Sequence, residues 1–131
     1  MQRHVLILQP DRSNAQILAA YFRKQGDQVF QTTNTAQASA SLIDVKPHLV
    51  IVDLNMPNNE CIKFLSCLQQ ESPKTGVIIT NRTPNVRLEM LARELGARVF
   101  LREPLSPEWI SRALMNLSGH PDKAKQPPVK R

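Results

Sequence analysis

Four short apolar runs in this 131-residue chain each lead into polar groups able to do chemistry. Val5-Leu6-Ile7-Leu8 is followed by Gln9-Pro10-Asp11, Leu49-Val50-Ile51-Val52 by Asp53, and Val77-Ile78-Ile79 by Thr80-Asn81. The last, Val99-Phe100-Leu101, is followed by Arg102-Glu103-Pro104. Carboxylates and a hydroxyl dominate the set, so any chemistry centres on an acid, with Asp53, Asp11 and Glu103 at hand. Other chemistries lack their parts. No Gly-rich loop follows the first run to cradle phosphates, no Ser-His-Asp arrangement is spelled out, and His4, His48 and His120 are scattered. Cys61 and Cys67 fall on different faces of what reads as one helix, which argues against a disulfide, and without a Cys-x-x-Cys pair they make no zinc site. Both read as half-buried small hydrophobes.

The elements that must position these groups alternate strand and helix five times. Continuous apolar runs at 5–8 and 49–53 have the pattern of strands covered on both faces, and 28–31 alternates like a strand nearer an edge. Asp11 or Ser13 is placed to cap a first helix whose face uses Ile17, Leu18, Tyr21 and Phe22 and which Gly26 ends. Thr35 is the expected cap of an Ala-rich second helix running to Asp44. The third helix spans about residues 60–70 with Ile62, Leu65 and Leu68 inward. Pro84 is expected in the first turn of the fourth, whose face is Leu88, Leu91, Ala92 and Leu95 with Gly96 closing it. Pro107 opens the fifth, burying Trp109 or Ile110, Leu114 and Leu117. This alternation predicts an α/β fold with a parallel sheet and helices on both faces. Such folds keep their working site at the carboxyl ends of the strands, where the polar groups above stand.

Length and apolar content fit one ordinary domain, over residues 1–118. Residues 119–131 turn Pro- and Lys-rich without periodicity and read as a linker or disordered tail. The net charge of +6 divides equally between that tail and the body. With one Trp and one Tyr in the chain, nucleic-acid binding by this segment is not expected. No run approaches the ~20 apolar residues of a membrane span, and the start lacks a signal peptide's apolar segment, so the expected address is cytoplasmic.

Asp53-Leu54-Asn55-Met56-Pro57 after a buried strand resembles the phosphoacceptor strand-end of response-regulator receiver domains. Ile79-Thr80 resembles their switch Thr/Ser position. Gly96-Ala97-Arg98-Val99-Phe100 followed by Glu103-Pro104 resembles their Gly-Ala, aromatic and Lys-Pro stretch. The likeness runs in order over residues 3–118. It implies the flavodoxin-like doubly wound fold with strand order 2-1-3-4-5, a phosphoacceptor at Asp53, a switch at Thr80 and Phe100, and a cis peptide before Pro104. It also implies a binding and signalling module of two-component phosphorelay, not an enzyme, with a histidine kinase or other signalling protein as partner.

Three positions depart from the pattern. The family places an acidic pair after strand one to hold Mg²⁺ and a Lys after strand five to meet the phosphoryl group. Here stand Gln9, Pro10 and Glu103. At ~5 Å and an effective dielectric of ~20 one unit charge pair is worth about 3 kcal/mol, so Lys to Glu turns an attraction of that size into a repulsion. Asp11, Asp53 and the Asn55 carbonyl are weak substitutes as metal ligands, and no metal or other cofactor is expected. The expectation is a degenerate receiver working mainly through protein contacts. The alternative is a conventional one that binds Mg²⁺ and is phosphorylated on Asp53 by a histidine kinase. Residues 82–112 mix six Arg with four Glu, which suits a homodimer through the helix 4–strand 5–helix 5 face. An output domain is expected beyond Arg131.

Overall fold

The computed structural model describes residues 2–117; the expected tail at 119–131 lies outside the described residues. The chain runs β1 (His4–Leu8), α1 (Arg12–Lys24), β2 (Gln28–Thr32), α2 (Thr35–Asp44), β3 (Leu49–Asp53) and a 3-10 turn (Pro57–Asn59). It continues through α3 (Glu60–Glu71), β4 (Gly76–Asn81), α4 (Val86–Glu94), β5 (Val99–Arg102) and α5 (Pro107–Leu117). All strand pairs are parallel, in the order β2-β1-β3-β4-β5.

Alternation along the strands splits the core into two layers. Val5, Ile7, Ile51, Ile78 and Leu101 face α1 and α5, where Leu18, Phe22 and Ile110 cover them. Leu6, Leu8, Val50, Val52 and Ile79 face the other way, under Leu42 of α2, Phe64 and Leu65 of α3 and Ala92 of α4. β3 is buried from end to end, whereas β2, at the edge, is half-buried, as its alternating pattern predicts. Helices α1 and α4 close on Gly26 and Gly96 at φ +90° and +101°. Each is followed by the paired hydrogen bonds of a Schellman end, Asp27 N–H to Phe22 O and Ala97 N–H to Ala92 O at 3.0 Å.

Several local expectations are corrected. Asn34, not Thr35, caps α2: its side chain accepts from the Gln37 N–H at 3.1 Å, while Thr35 is already the first helical residue. Pro84 is not in the first turn of α4, because Asn85 caps a helix that begins at Val86. In both places an Asn one position away offers the carbonyl that reaches the third residue on. Cys61 is fully rather than half-buried, and Phe64, absent from the expected inner face of α3, is wholly buried, while Ile62 is only half-buried. The fourth helix buries only Ala92 fully; Leu88, Leu91 and Leu95 lie at its margin. Asp11 rather than Ser13 caps α1.

Two stability measurements check these assignments. Asn34→Ala should cost about 1 kcal/mol in urea unfolding while Thr35→Ala costs a few tenths. Phe64→Ala should cost about 3–5 kcal/mol, the range for emptying a fully packed aromatic site.

Candidate functional site

Polar side chains meet where the strands end. The alternation that sends Val5 and Ile7, Leu49 and Ile51, and Ile78 toward α1 and α5 sends Gln9, Asp53 and Thr80 the same way. Register aligns them: Leu8 pairs with Val52, and Asp53 with Thr80, so the three form one row across β1, β3 and β4. Gln9 and Thr80 are fully buried, and Asp53 is 8% exposed. Gln9 Nε2 donates to Thr80 Oγ1 at 2.8 Å. With neighbouring strands about 4.8 Å apart, that bond crosses the width of β3 at its Asp53 end. The other half of the amide, Gln9 Oε1, is buried without a hydrogen-bond partner among the described residues. Such an unmet acceptor costs about 1–3 kcal/mol, a penalty an apolar side chain of the same size would not carry.

The Asp53 carboxyl is held above the usual carboxylate range, chiefly by burial. The Asn55 N–H, donating to Asp53 Oδ1 at 2.8 Å, pulls it down; the Glu103 charge pushes it up, Arg82 lowers it and Asp11 raises it. A cleft of about 400 Å³ opens here, with Pro10, Asp11, Asp53, Asn55, Arg82 and Glu103 among its walls. Arg82 spans it: Nη2 donates to Asp11 Oδ2 at 2.9 Å and Nε to Glu103 Oε1 at 3.2 Å. Asp11 lies below the usual range because it accepts the Asn14 N–H as helix cap and then the Arg82 guanidinium. A larger cleft, about 590 Å³ beside the N-terminus of α2, shares only Pro10 with this one.

Asn55 has a role that the sequence pattern does not disclose. Its Oδ1 accepts the backbone N–H groups of Arg82 at 2.9 Å and Thr83 at 3.2 Å, and its Nδ2 donates to Thr83 O at 3.1 Å. One side chain thus ties the loop after β3 to the loop after β4. Glu103 pairs with Arg82, and Arg82 also reaches Asp11. The strand-end position of Arg82, two residues past Thr80, was the available signal. The Glu103–Pro104 peptide is cis. Phe100 does not join this cleft. It lies half-buried against the α2–α4 side of the sheet, with the Arg93 guanidinium 4.3 Å above its ring. The Cys61 thiol is pushed up to about 12, mainly by burial and then by the Asp53 charge, so it stays protonated and inert.

A raised carboxyl pKa has a signed consequence for stability. The folded chain holds the Asp53 proton more tightly than the unfolded chain, so stability falls as pH rises from about 3.8 through the elevated folded pKa. Asp53→Asn should therefore raise the melting temperature at neutral pH. The gain should disappear as pH drops below the unfolded value, which calorimetry across that range would read.

Comparison with known proteins agrees with this architecture. The response regulator receiver domain family matches residues 5–115. The aerobic respiration control protein ArcA of Escherichia coli K12 is 25% identical over 114 residues, covering 87% of this chain and 48% of ArcA. The DNA-binding response regulator MtrA of Mycolicibacterium paratuberculosis is 27% identical over 124 residues, covering 94% and 55%. The chain thus spans about half the length of these curated relatives. Among solved structures, the chemotaxis protein CheY4 of Vibrio cholerae superimposes with a TM-score of 0.81 at 18% identity, over 89% of this chain and 99% of that one. A five-stranded parallel sheet in the order 2-1-3-4-5, an acid at the end of β3 and a family match over nearly the whole described chain lead to one assignment: this chain belongs to the response regulator receiver domain family of two-component signalling.

Proposed function

We propose that this receiver is degenerate: it signals through protein contacts with a histidine kinase or another signalling protein and with an output domain, and it is not an enzyme. The observation that carries the reading is the placement of Glu103. Its side chain is only 11% exposed and is held by Arg82 in the cleft that contains Asp53, so it does not swing away into water. A phosphoryl group on Asp53 would meet a carboxylate there, at a cost of about 3 kcal/mol per charge pair at ~5 Å and an effective dielectric of ~20. The Arg82 guanidinium in the cleft wall is already shared by two carboxylates, and at 64% exposure it is strongly screened.

The residues present also fit a divalent cation poorly. Gln9 is uncharged and donates to Thr80, Pro10 has no ligand side chain, and Asp11 is engaged by a helix cap and by Arg82. Among the described residues no three acidic, His or Cys side chains cluster as a metal-holding group.

The decisive experiment incubates the protein with a small acyl phosphate and Mg²⁺ and reads intact mass. In a working receiver an Asp53 carboxylate oxygen attacks phosphorus, the bond to the acyl oxygen breaks, and the carboxylate leaves. Unchanged mass is expected. A Mg²⁺-dependent gain of one phosphoryl group, lost in Asp53→Ala, would establish the conventional receiver instead. Glu103→Lys combined with Gln9→Asp and Pro10→Asp should create that gain.

The contact surface that best suits this function is the face of α4, β5 and α5, presented to a second copy of the chain. Val86 and Met90 are 72% and 58% exposed, and Arg93 continues their helical stripe to its stack on Phe100. Arg112 stacks on Trp109 and pairs with Glu108, so both charge signs lie beside apolar area. Sedimentation should show a concentration-dependent dimer that Met90→Glu weakens about tenfold or more. A monomer at every concentration would remove the dimer from the proposal.

A further inference from the structure

We infer that Gln9 is a positioning residue: its side-chain amide holds the Thr80 hydroxyl across the end of β3 and so keeps the segment joining β4 to α4 in one conformation. The inference deepens the proposed function and rests on it only for the use to which the held state is put. Both partners are fully buried and 2.8 Å apart, so the bond is shielded from competing water. An apolar side chain would fill the same space without leaving an amide oxygen unmet, so bulk alone does not explain an amide here. The bond to Thr80 is the one the Gln9 side chain makes among the described residues.

The hold on Thr80 is passed along the chain. The Thr80 carbonyl accepts the Leu54 N–H at 2.8 Å, and Arg82 and Thr83, just beyond it, are bound through their backbones by Asn55. The end of β4 is therefore gripped by one amide just past β1 and by another in the loop after β3. Asn85 caps α4 two residues after Thr83; the exposed Val86 comes directly after it, and the exposed Met90 one helical turn further on. A Thr80 hydroxyl committed to Gln9 is not free to turn toward Asp53, its register partner. Gln9 thereby selects the shape in which the α4 surface is shown, whatever happens at the acid.

The test uses the full chain without any phosphodonor. Gln9→Met keeps the length and volume of the side chain and removes the donor, and Thr80→Val removes the hydroxyl from the other end. Methyl NMR couplings should report one Thr80 side-chain rotamer in the parent protein and averaging in Gln9→Met. Amide hydrogen exchange at Arg82, Thr83 and the first turn of α4 should rise about five- to tenfold in each variant, the size expected for losing one buried hydrogen bond. Exchange at Ile51, in the middle of β3, should not change, and the double variant should add nothing to either single one. If Gln9 only fills space, Gln9→Met leaves a single Thr80 rotamer and unchanged exchange in the loop, and the inference is overturned. Should Gln9→Met fail to fold, Thr80→Val decides by the same exchange measurement, with a rise supporting the inference and no rise ending it. None of these readouts involves phosphate. Phosphoryl uptake by Asp53 would therefore defeat the degenerate reading while leaving the role of Gln9 standing.

Discussion

A strand covered on both faces has one place for polar chemistry, and that is its end. β1, β3 and β4 are enclosed between α1 and α5 on one side and α2, α3 and α4 on the other. A polar side chain within those strands would lose its hydration with nothing to replace it. Gln9, Asp53 and Thr80 stand at that end almost dry, and hydrogen bonds offset only part of the cost: Gln9 Oε1 stays unmet, and burial raises the Asp53 carboxyl. The row they form is a product of parallel register as much as of residue type, since equal strand offsets bring three separate sequence positions to one line.

Within that row the charges are unevenly matched. Asp11, Asp53 and Glu103 line one cleft with Arg82 as the cation between them. Arg82 satisfies Asp11 and Glu103 directly, and the carboxylate left with backbone donation alone is Asp53, whose proton affinity is raised chiefly by burial and then by the Glu103 charge. The exposed guanidinium lends little stability in itself. Its effect is to hold Glu103 in a place where that carboxylate matters to Asp53. The neutral hydrogen bonds complement the charges. Asn55 is bound to the loop after β4 through three contacts, and Gln9 is bound to Thr80 at the end of the same strand. Amides carry no charge to be screened by salt, so these ties persist where the Arg82 bridges weaken. The junction between the acid and the α4 surface is thus organised by two amide side chains, one just past the end of β1 and one in the loop after β3.

Much of this was legible in the residues and some of it was not. Apolar runs and their helical counterparts specify the five strands and five helices, because period and burial act locally and over many positions at once. Asp53, Thr80 and Glu103 stand out through the residues on either side of them, and the helix-ending glycines through the left-handed turns they permit. Helix starts are harder to read: at α2 an Asn competes with a neighbouring Thr to cap the helix, and at α4 the Asn cap falls after Pro84 and leaves that residue outside the first turn. Cys61 and Phe64 lie on the face that α3 buries together with Leu65 and Leu68, a choice of face that propensity does not make.

The sequence by itself determined the alternating α/β order and the polar strand ends, with Gln9, Pro10 and Glu103 among them, because each is carried by residue type and local spacing. Only the tertiary structure decided that Gln9 reaches Thr80, that Asn55 grips the loop after β4, and that Arg82 joins Asp11 to Glu103. Those pairs are 71, 27, 71 and 21 residues apart along the chain, and nothing local encodes them. They exist because parallel pairing brings the ends of β1, β3, β4 and β5 together, within reach of side chains that would otherwise never meet.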